Sequence, residues 1–246
     1  MIKAVYFDLD DTLYDQLQPF QLAVQSTDLI HHINEQLPIE DLYRRIRRHS
    51  DLLWEKHISG QMTLEQLRIE RTVAAFNELS IKVKDEAALQ LQRNYELEQT
   101  RLTLRDGAAA LFEQLRDGGM DIGLITNGPT KHQMNKIKAL ELLNWVDEKA
   151  VYISDGIGMA KPDPDVFHHV QQRAAYLPEQ MVYVGDAWHN DIAPSSQAGW
   201  SPIWLNPRRQ QPNASDSNVK YMECRALNEV MPLVMALNNR DTGCLL

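Results

Sequence analysis

Residues 6–12 read Tyr-Phe-Asp-Leu-Asp-Asp-Thr, and they close an apolar run that begins at Ile2. The run from Ile2 to Leu9 has the composition of a short buried strand. It ends in Asp8, Asp10 and Asp11, with the hydroxyl of Thr12 beside them. Clustered carboxylates repel one another, and crowding them costs free energy unless a cation sits between. A buried strand that finishes in such a cluster has a use for the charge.

Working outward, four more short apolar segments follow: Ile122 to Thr126, Ala150 to Ser154, Met181 to Gly185 and Pro202 to Leu205. Each stops at or beside Gly, Asp or Asn, as strands do. Helical patterns lie among them over Ala108 to Arg116, Thr130 to Leu143 and Asp165 to Tyr176, the last with Asp163 as a cap and Pro164 in its first turn. Alternating strands and helices imply a parallel sheet covered on both faces. Residues 16–102 carry no convincing strand. They hold long helical stretches, among them Ile39 to His57 and Leu64 to Leu79, with Gly60 between and Thr63 as an N-cap. The expected fold is therefore α/β: a Rossmann-like, doubly wound parallel sheet formed by residues 1–15 and 103–246, with an inserted all-helical cap, or lid, over residues 16–102. The chain would leave the sheet near Tyr14 and return near Arg105-Asp106-Gly107, a natural pair of hinges.

In open parallel sheets ligands bind beyond the carboxyl ends of the strands. The polar residues of this chain stand at those places: Asp8 and Asp10 after the first strand, Thr126-Asn127-Gly128 after the second, Lys161 beyond the third, and Gly185-Asp186 with Asp191 after the fourth. Hard oxygen donors, with no Cys or His ligand set near them, suit Mg²⁺.

This pattern resembles the haloacid dehalogenase-like superfamily of hydrolases, most of which are phosphatases. The resemblance runs over all of that family's motifs in order: D-x-D-x-T as Asp8 to Thr12, then Thr126-Asn127, then Lys161, then Gly185-Asp186 with Asp191. It implies a phosphomonoester hydrolase in which Asp8 is the nucleophile and a metal ligand, forming an aspartyl-phosphate. Asp10 would protonate the leaving oxygen, activate water in the second step and give its backbone carbonyl to the metal. Asp186 would be a further metal ligand, and Asp191 would orient metal-bound water from behind the direct ligands. Thr126 and Asn127 would hold phosphate oxygens, and Lys161 would neutralise charge shared by Asp8 and the phosphoryl group. A narrower resemblance, to the bacterial pyrimidine-nucleotide 5′-phosphatases, rests on Leu53 to Thr63, on Arg71 and on Trp204-Leu205-Asn206; it implies a nucleoside 5′-monophosphate substrate.

Other features take simpler readings. Asp11 and Thr12 fit turn or capping roles, and His189 fits a solvated position. Arg44, Arg45, Arg47 and Arg48 spread around a helix at 100° per residue and read as a solvated face. Trp54, Phe76 and Tyr95 read as packing residues of the helical block. A net charge of −9 disfavours a binder of nucleic-acid polymers or anionic membranes. No apolar run reaches the roughly 18 residues of a membrane span, and the early aspartates argue against a signal peptide. Cys224 and Cys244 read as free thiols of a reducing compartment, hence the cytoplasm.

Other activities remain open on these residues. Carbon–halogen hydrolysis uses the same nucleophile but lacks an acid two residues after it, so Asp10 favours phosphate. A sugar phosphomutase shares all the motifs. A phospho-accepting receiver would carry its accepting Asp on a different strand from its acidic pair.

Overall fold

The computed structural model describes residues 1–34, 37–212 and 216–242. Two compact units divide the chain: residues 1–15 with 103–246, and residues 16–102.

The first unit is built on a parallel sheet of six strands: β1 (Ala4–Phe7), β2 (Asp121–Thr126), β3 (Val151–Ile153), β4 (Met181–Gly185), β5 (Ser201–Leu205) and β6 (Met222–Cys224), in the spatial order β3-β2-β1-β4-β5-β6. β1 is central and wholly buried, pairing with β2 on one side and β4 on the other. A strand covered on both faces needs apolar residues at every position, which is why Ala4 to Phe7 shows no alternation. One face packs Tyr6 with Phe167, Tyr183 and Trp200. On the other, Phe7 meets Phe112 edge to face at 5.4 Å. Strand order reverses about β1, with β2 and β3 to one side and β4 to β6 to the other. The crevice beyond the carboxyl ends of β1 and β4 is thus the expected ligand position. The sheet confirms the α/β, Rossmann-like reading of the sequence.

The helices of this unit are α5 (Ala108–Asp117), α6 (Thr130–Ala139), the short α7 (Ser154–Ile157), α8 (Asp165–Ala174), α9 (Ala193–Gln197) and α10 (Val230–Thr242). Their numbering follows α1 to α4 of the helical unit, given below. Two helices end earlier than their periodicity suggests. Residues in the left-handed region stop them: Glu141 at φ 53° follows α6, and Ala175 at φ 57° follows α8. Pro164 takes the N-cap position of α8, and Asp163, expected as the cap, accepts from the Asp165 amide at 3.0 Å from one residue further out. Arg105 closes the chain back onto the first loop. Its amide donates to the Leu13 carbonyl at 2.7 Å, and its guanidinium donates to the carbonyls of Thr12 at 3.3 Å and Asp11 at 2.8 Å. Cys224 is buried with a free thiol, whereas Cys244 lies outside the described residues.

The second unit holds α1 (Leu17–Gln25), α2 (Ile39–Ile58), α3 (Leu64–Asn77) and α4 (Asp85–Glu98) around a core of Phe20, Leu42, Tyr43, Ile46, Phe76, Leu91 and Tyr95. Thr63 begins α3 with a reciprocal capping box: its hydroxyl accepts from the Gln66 amide at 3.1 Å, and the Gln66 side chain accepts from the Thr63 amide at 2.8 Å. Arg45 and Arg48 pair with Glu78, and Arg44 pairs with Asp41, all towards solvent. Phe76 and Tyr95 are core residues, but Trp54 is half-buried and meets the His57 ring at a tilt, 5.2 Å between centroids. Arg71 bridges the unit internally, donating to Gln92 Oε1 at 2.8 Å and Ser50 Oγ at 3.2 Å.

Candidate active site

Asp8 is the first residue past β1. Its amide continues the ladder to the Val184 carbonyl at 2.9 Å, so the strand itself aims the carboxylate into the crevice. Lys161 Nζ donates to Asp8 Oδ1 at 2.7 Å, to Asp191 Oδ1 at 2.6 Å and to the Tyr183 hydroxyl at 2.8 Å. That fills the three donors of an ammonium. Tyr183 in turn donates to the Ile125 carbonyl at 2.8 Å, which ties the lysine to β2 and β4 together.

Lys161 is held from its backbone as well. Asn127 Oδ1 accepts from the Lys161 amide at 3.0 Å, and Asn127 Nδ2 donates to the Lys161 carbonyl at 2.7 Å. The side chain of Asn127 is thus a bracket for the lysine loop. The Lys161–Pro162 peptide is cis. Thr126 is buried at the end of β2, where its hydroxyl accepts from Gln133 Nε2.

Asp186 follows β4. Thr12 donates to its Oδ1 at 3.2 Å, and the Trp204 indole donates to its carbonyl at 2.8 Å. Asp191 is 1 % exposed and accepts from the Ala187 amide at 2.9 Å. Gly185 makes this approach possible. A Cβ there would lie 2.5 Å from the Asp191 carboxylate, so no side chain fits. His189 is exposed. Asp11 takes the left-handed turn position at φ 61°, a conformation short polar side chains tolerate.

Asp10 sits in the loop beyond β1, and α6 meets its side chain. Lys136 Nζ lies 2.5 Å from Asp10 Oδ1, Gln133 Nε2 donates to Oδ2 at 3.0 Å, and the Tyr14 hydroxyl donates to Oδ1. Neither Gln133, Lys136 nor Tyr183 was evident from the sequence. The available signal was the spacing of Gln133, Lys136 and Ile137, which puts two polar side chains on the same helical stripe as an apolar one.

Oxygen atoms of Asp8, Asp186 and Asp191 lie within 4.8 Å of one another. Burial pushes the Asp8 carboxyl up to about 7 against the pull of Lys161, and Asp191 and Asp10 add to the rise. Burial likewise raises Asp186 well above the usual carboxylate range, with Asp191, Asp11 and Asp8 adding to it. For Lys161 burial works against the charge, but Asp191 and Asp8 outweigh it and hold the ammonium well above its ordinary value. Three acids crowd one lysine. That imbalance, with oxygen donors alone, fits a divalent hard cation such as Mg²⁺.

A parallel sheet in this strand order, with an acid pair after β1 and a lysine and two acids on neighbouring strand ends, defines a Rossmann-like hydrolase core. The haloacid dehalogenase-like hydrolase family matches residues 2–199, and the chain belongs to that family. It is 29 % identical to the glyceraldehyde 3-phosphate phosphatase of Methanothermobacter thermautotrophicus, over 84 % of this chain and 86 % of that one. It is 26 % identical to the phosphoglycolate phosphatase of Escherichia coli, over 94 % of this chain and 92 % of that one. Among solved structures, the HAD-hydrolase YfnB of Bacillus subtilis, crystallised bound to magnesium, superimposes with a TM-score of 0.71 at 23 % identity, covering 95 % of this chain and 98 % of that one. That likeness concerns the fold.

Proposed function

We propose that the chain is a Mg²⁺-dependent phosphomonoester hydrolase that works through a phosphoryl group carried on Asp8. The observation that supports it is the junction at Lys161: one ammonium holds Asp8 and Asp191 together, while a second acid, Asp10, stands two residues after the first. In the first step an Asp8 carboxylate oxygen attacks phosphorus, the bond to the leaving alkoxide breaks, and Asp10 gives its proton to that oxygen. In the second, water attacks the same phosphorus and loses a proton to Asp10. The bond to Asp8 then breaks, releasing phosphate and restoring the carboxylate.

Lys161 offsets the charge that spreads from Asp8 onto the phosphoryl oxygens. Asp8, Asp186 and the Asp10 carbonyl would hold Mg²⁺, with Asp191 behind them; the ion supplies charge neutralisation at the phosphoryl group. The Thr126 hydroxyl and the Asn127 amide are read as phosphate ligands. The presence of Asp10 favours phosphate over halide as the leaving chemistry. The test is a phosphate-release screen over phosphomonoesters with and without Mg²⁺, followed by trapping of the phosphorylated protein. Label on a residue other than Asp8 refutes the assignment.

Residues 16–102 are read as a cap that selects the substrate. Within the class, the reading is a nucleoside 5′-monophosphate, carried by the resemblance of Leu53 to Thr63, Arg71 and Trp204-Leu205-Asn206 to pyrimidine nucleotidases. Of these, Arg71, Trp204 and Asn206 already have anchoring contacts inside their own units, so the resemblance reaches the ligand through Trp54 and its neighbours at most. The names of the relatives favour a second reading, small phosphorylated aldehydes and acids. Comparing kcat/KM for UMP, dUMP and dTMP with those for glyceraldehyde 3-phosphate and phosphoglycolate decides between them. No described helix is long and apolar enough to cross a membrane. A cytoplasmic site of action is proposed on the free thiol of Cys224.

A further inference from the structure

The crevice contains a second buried lysine. Lys161 already serves Asp8, so the position of Lys136 needs its own account. Lys136 is 3 % exposed, on a helix whose other lysines, Lys131 and Lys138, face solvent. A buried ammonium is costly unless it is paired and hydrogen-bonded. Its carboxylate partner is Asp10.

Gln133 lies one turn earlier on the same face of α6, is 1 % exposed, and donates to the other oxygen of the same carboxylate. The Gln133 amide nitrogen also reaches the Thr126 hydroxyl, so one side chain ties the Asp10 loop to the end of β2. Gln133 is itself seated against Gly128, where a Cβ would come within 3.2 Å of it. Tyr14 completes the set from the loop side. Asp10 has no strand or helix of its own to fix it; these contacts take that place.

We infer that Lys136 and Gln133 are positioning residues that fix the Asp10 carboxylate, an inference that rests on the phosphomonoesterase reading. Their side-chain contacts run to Asp10 and, from Gln133, to Thr126. They act through Asp10, by holding both of its oxygens against α6 so that the acid stands at one distance from the scissile bond. Misplacing a catalytic group by about 1 Å can cost on the order of 10²-fold.

The test compares two esters in the presence of Mg²⁺: 4-nitrophenyl phosphate, whose leaving group departs without a proton, and the alkyl phosphomonoester that the wild type hydrolyses fastest. The parameter is kcat/KM, because it covers only the steps through departure of the leaving group. Lys136→Met should lower kcat/KM on the alkyl ester about ten- to a hundredfold more than on the aryl ester. In an Asp10→Asn background the same change should add less than about twofold, since the group it acts through is already disabled. Gln133→Leu also releases the Thr126 hydroxyl, so it should lower both esters but the alkyl ester more, and that difference carries the test if Lys136→Met does not fold by circular dichroism. Equal losses on both esters, or full multiplication of the effects in the double variant, overturn the inference and leave the phosphatase reading standing. A wild-type protein that hydrolyses neither ester overturns both.

Discussion

The two units of the chain bury polar groups differently. In residues 16–102 the buried polar side chains are Gln16, Thr72, Gln92 and Gln99, all neutral. In the sheet unit they include Asp8, Lys136, Lys161 and Asp191, whereas the most enclosed charge of the helical unit, Arg71, is half-buried and held by the neutral side chains of Gln92 and Ser50. A neutral amide in a helical core can be satisfied by one or two hydrogen bonds, as Gln92 is by Arg71 and Glu96. Buried charges are worth far less to stability than their Coulomb energy suggests, because desolvation cancels much of it. A chain that keeps such charges together beside its strand ends gives up stability there, as the site proposed at Asp8 and Lys161 would require. One unit buries neutral groups; the other folds around a cluster of charge.

The contrast can be broken in several ways, the largest first. Asp8→Asn should cut kcat by about 10⁴-fold or more, the scale that follows loss of a nucleophile, and should leave no protein-bound phosphate after acid quench. Excess chelator should do the same to the wild type, and added Mg²⁺ should restore turnover. Full activity with metal removal verified by elemental analysis would reject the metal site.

Asp10→Asn removes acid–base help while the nucleophile stays, so the expected loss is about 10²–10⁴-fold. It should be smaller on 4-nitrophenyl phosphate than on alkyl esters. An identical loss on both would assign Asp10 another role.

Phe76→Ala probes the other unit. Phe76 is fully buried in the helical core, and such a truncation costs about 3–5 kcal/mol. Urea denaturation should register that loss. Circular dichroism of the sheet unit, with Asp8 and Lys161 untouched, should not change below the transition.

The pH dependence of stability carries a definite sign. The Asp8 carboxyl rises from 3.8 to about 7 on folding, so between these values the metal-free folded state holds the extra proton. Stability from this group is therefore present at low pH and lost as pH rises through about 7. Asp186, raised by burial and its acidic neighbours, acts in the same direction. Melting temperatures of the chelated protein should thus climb as pH falls from the folded value, more steeply for wild type than for Asp8→Asn, and Mg²⁺ should flatten the difference. Parallel slopes with and without the substitution would contradict it.

The smallest effect expected is at Trp54. Its substitution by Ala should shift relative kcat/KM between nucleotides and small phosphorylated acids by about tenfold, the low end of what aromatic stacking on a base supplies. Activity on 4-nitrophenyl phosphate should hold. If both substrate classes fall equally, the helical unit supports the protein without selecting its ligand.

Much of the sheet was legible because buried parallel strands are written as uninterrupted apolar runs. β1, β3 and β4 lie inside the expected segments, and β2 and β5 begin one residue before theirs, at Asp121 and Ser201. β6 was missed: Met222-Glu223-Cys224 is three residues long with a charged middle, and its pairing to Ile203 to Leu205 supplies what its own pattern lacks. Asp8, Lys161, Asp186 and Asp191 were singled out from their places at or just beyond strand ends, and the fold brings their side chains together. Lys136 and Gln133 were hidden because Lys131, His132, Asn135 and Lys138 around them make α6 look like a solvated helix. Burial of a polar side chain is a property of the partner, and the partner of Lys136 lies 126 residues away in sequence. Trp204 illustrates the converse. It carries a resemblance to a substrate class, yet its ring is 1 % exposed and its indole supports the Asp186 carbonyl.

The clasp that Arg105 makes on the carbonyls of Asp11, Thr12 and Leu13 has a further consequence. It fastens the chain just before the departure into residues 16–102 to the chain just after the return, and both halves of the clasp belong to the sheet unit. The closure entropy of so long an excursion grows only slowly with its length, and here its ends are secured from the sheet unit as well as by the helices' own packing. Residues 16–102 are in this sense a cassette. The sheet neither supplies the cassette's core nor counts its residues. A helical segment of another size, or a short polar linker across the clasp, could occupy the same socket while β1 still delivered Asp8 to the crevice.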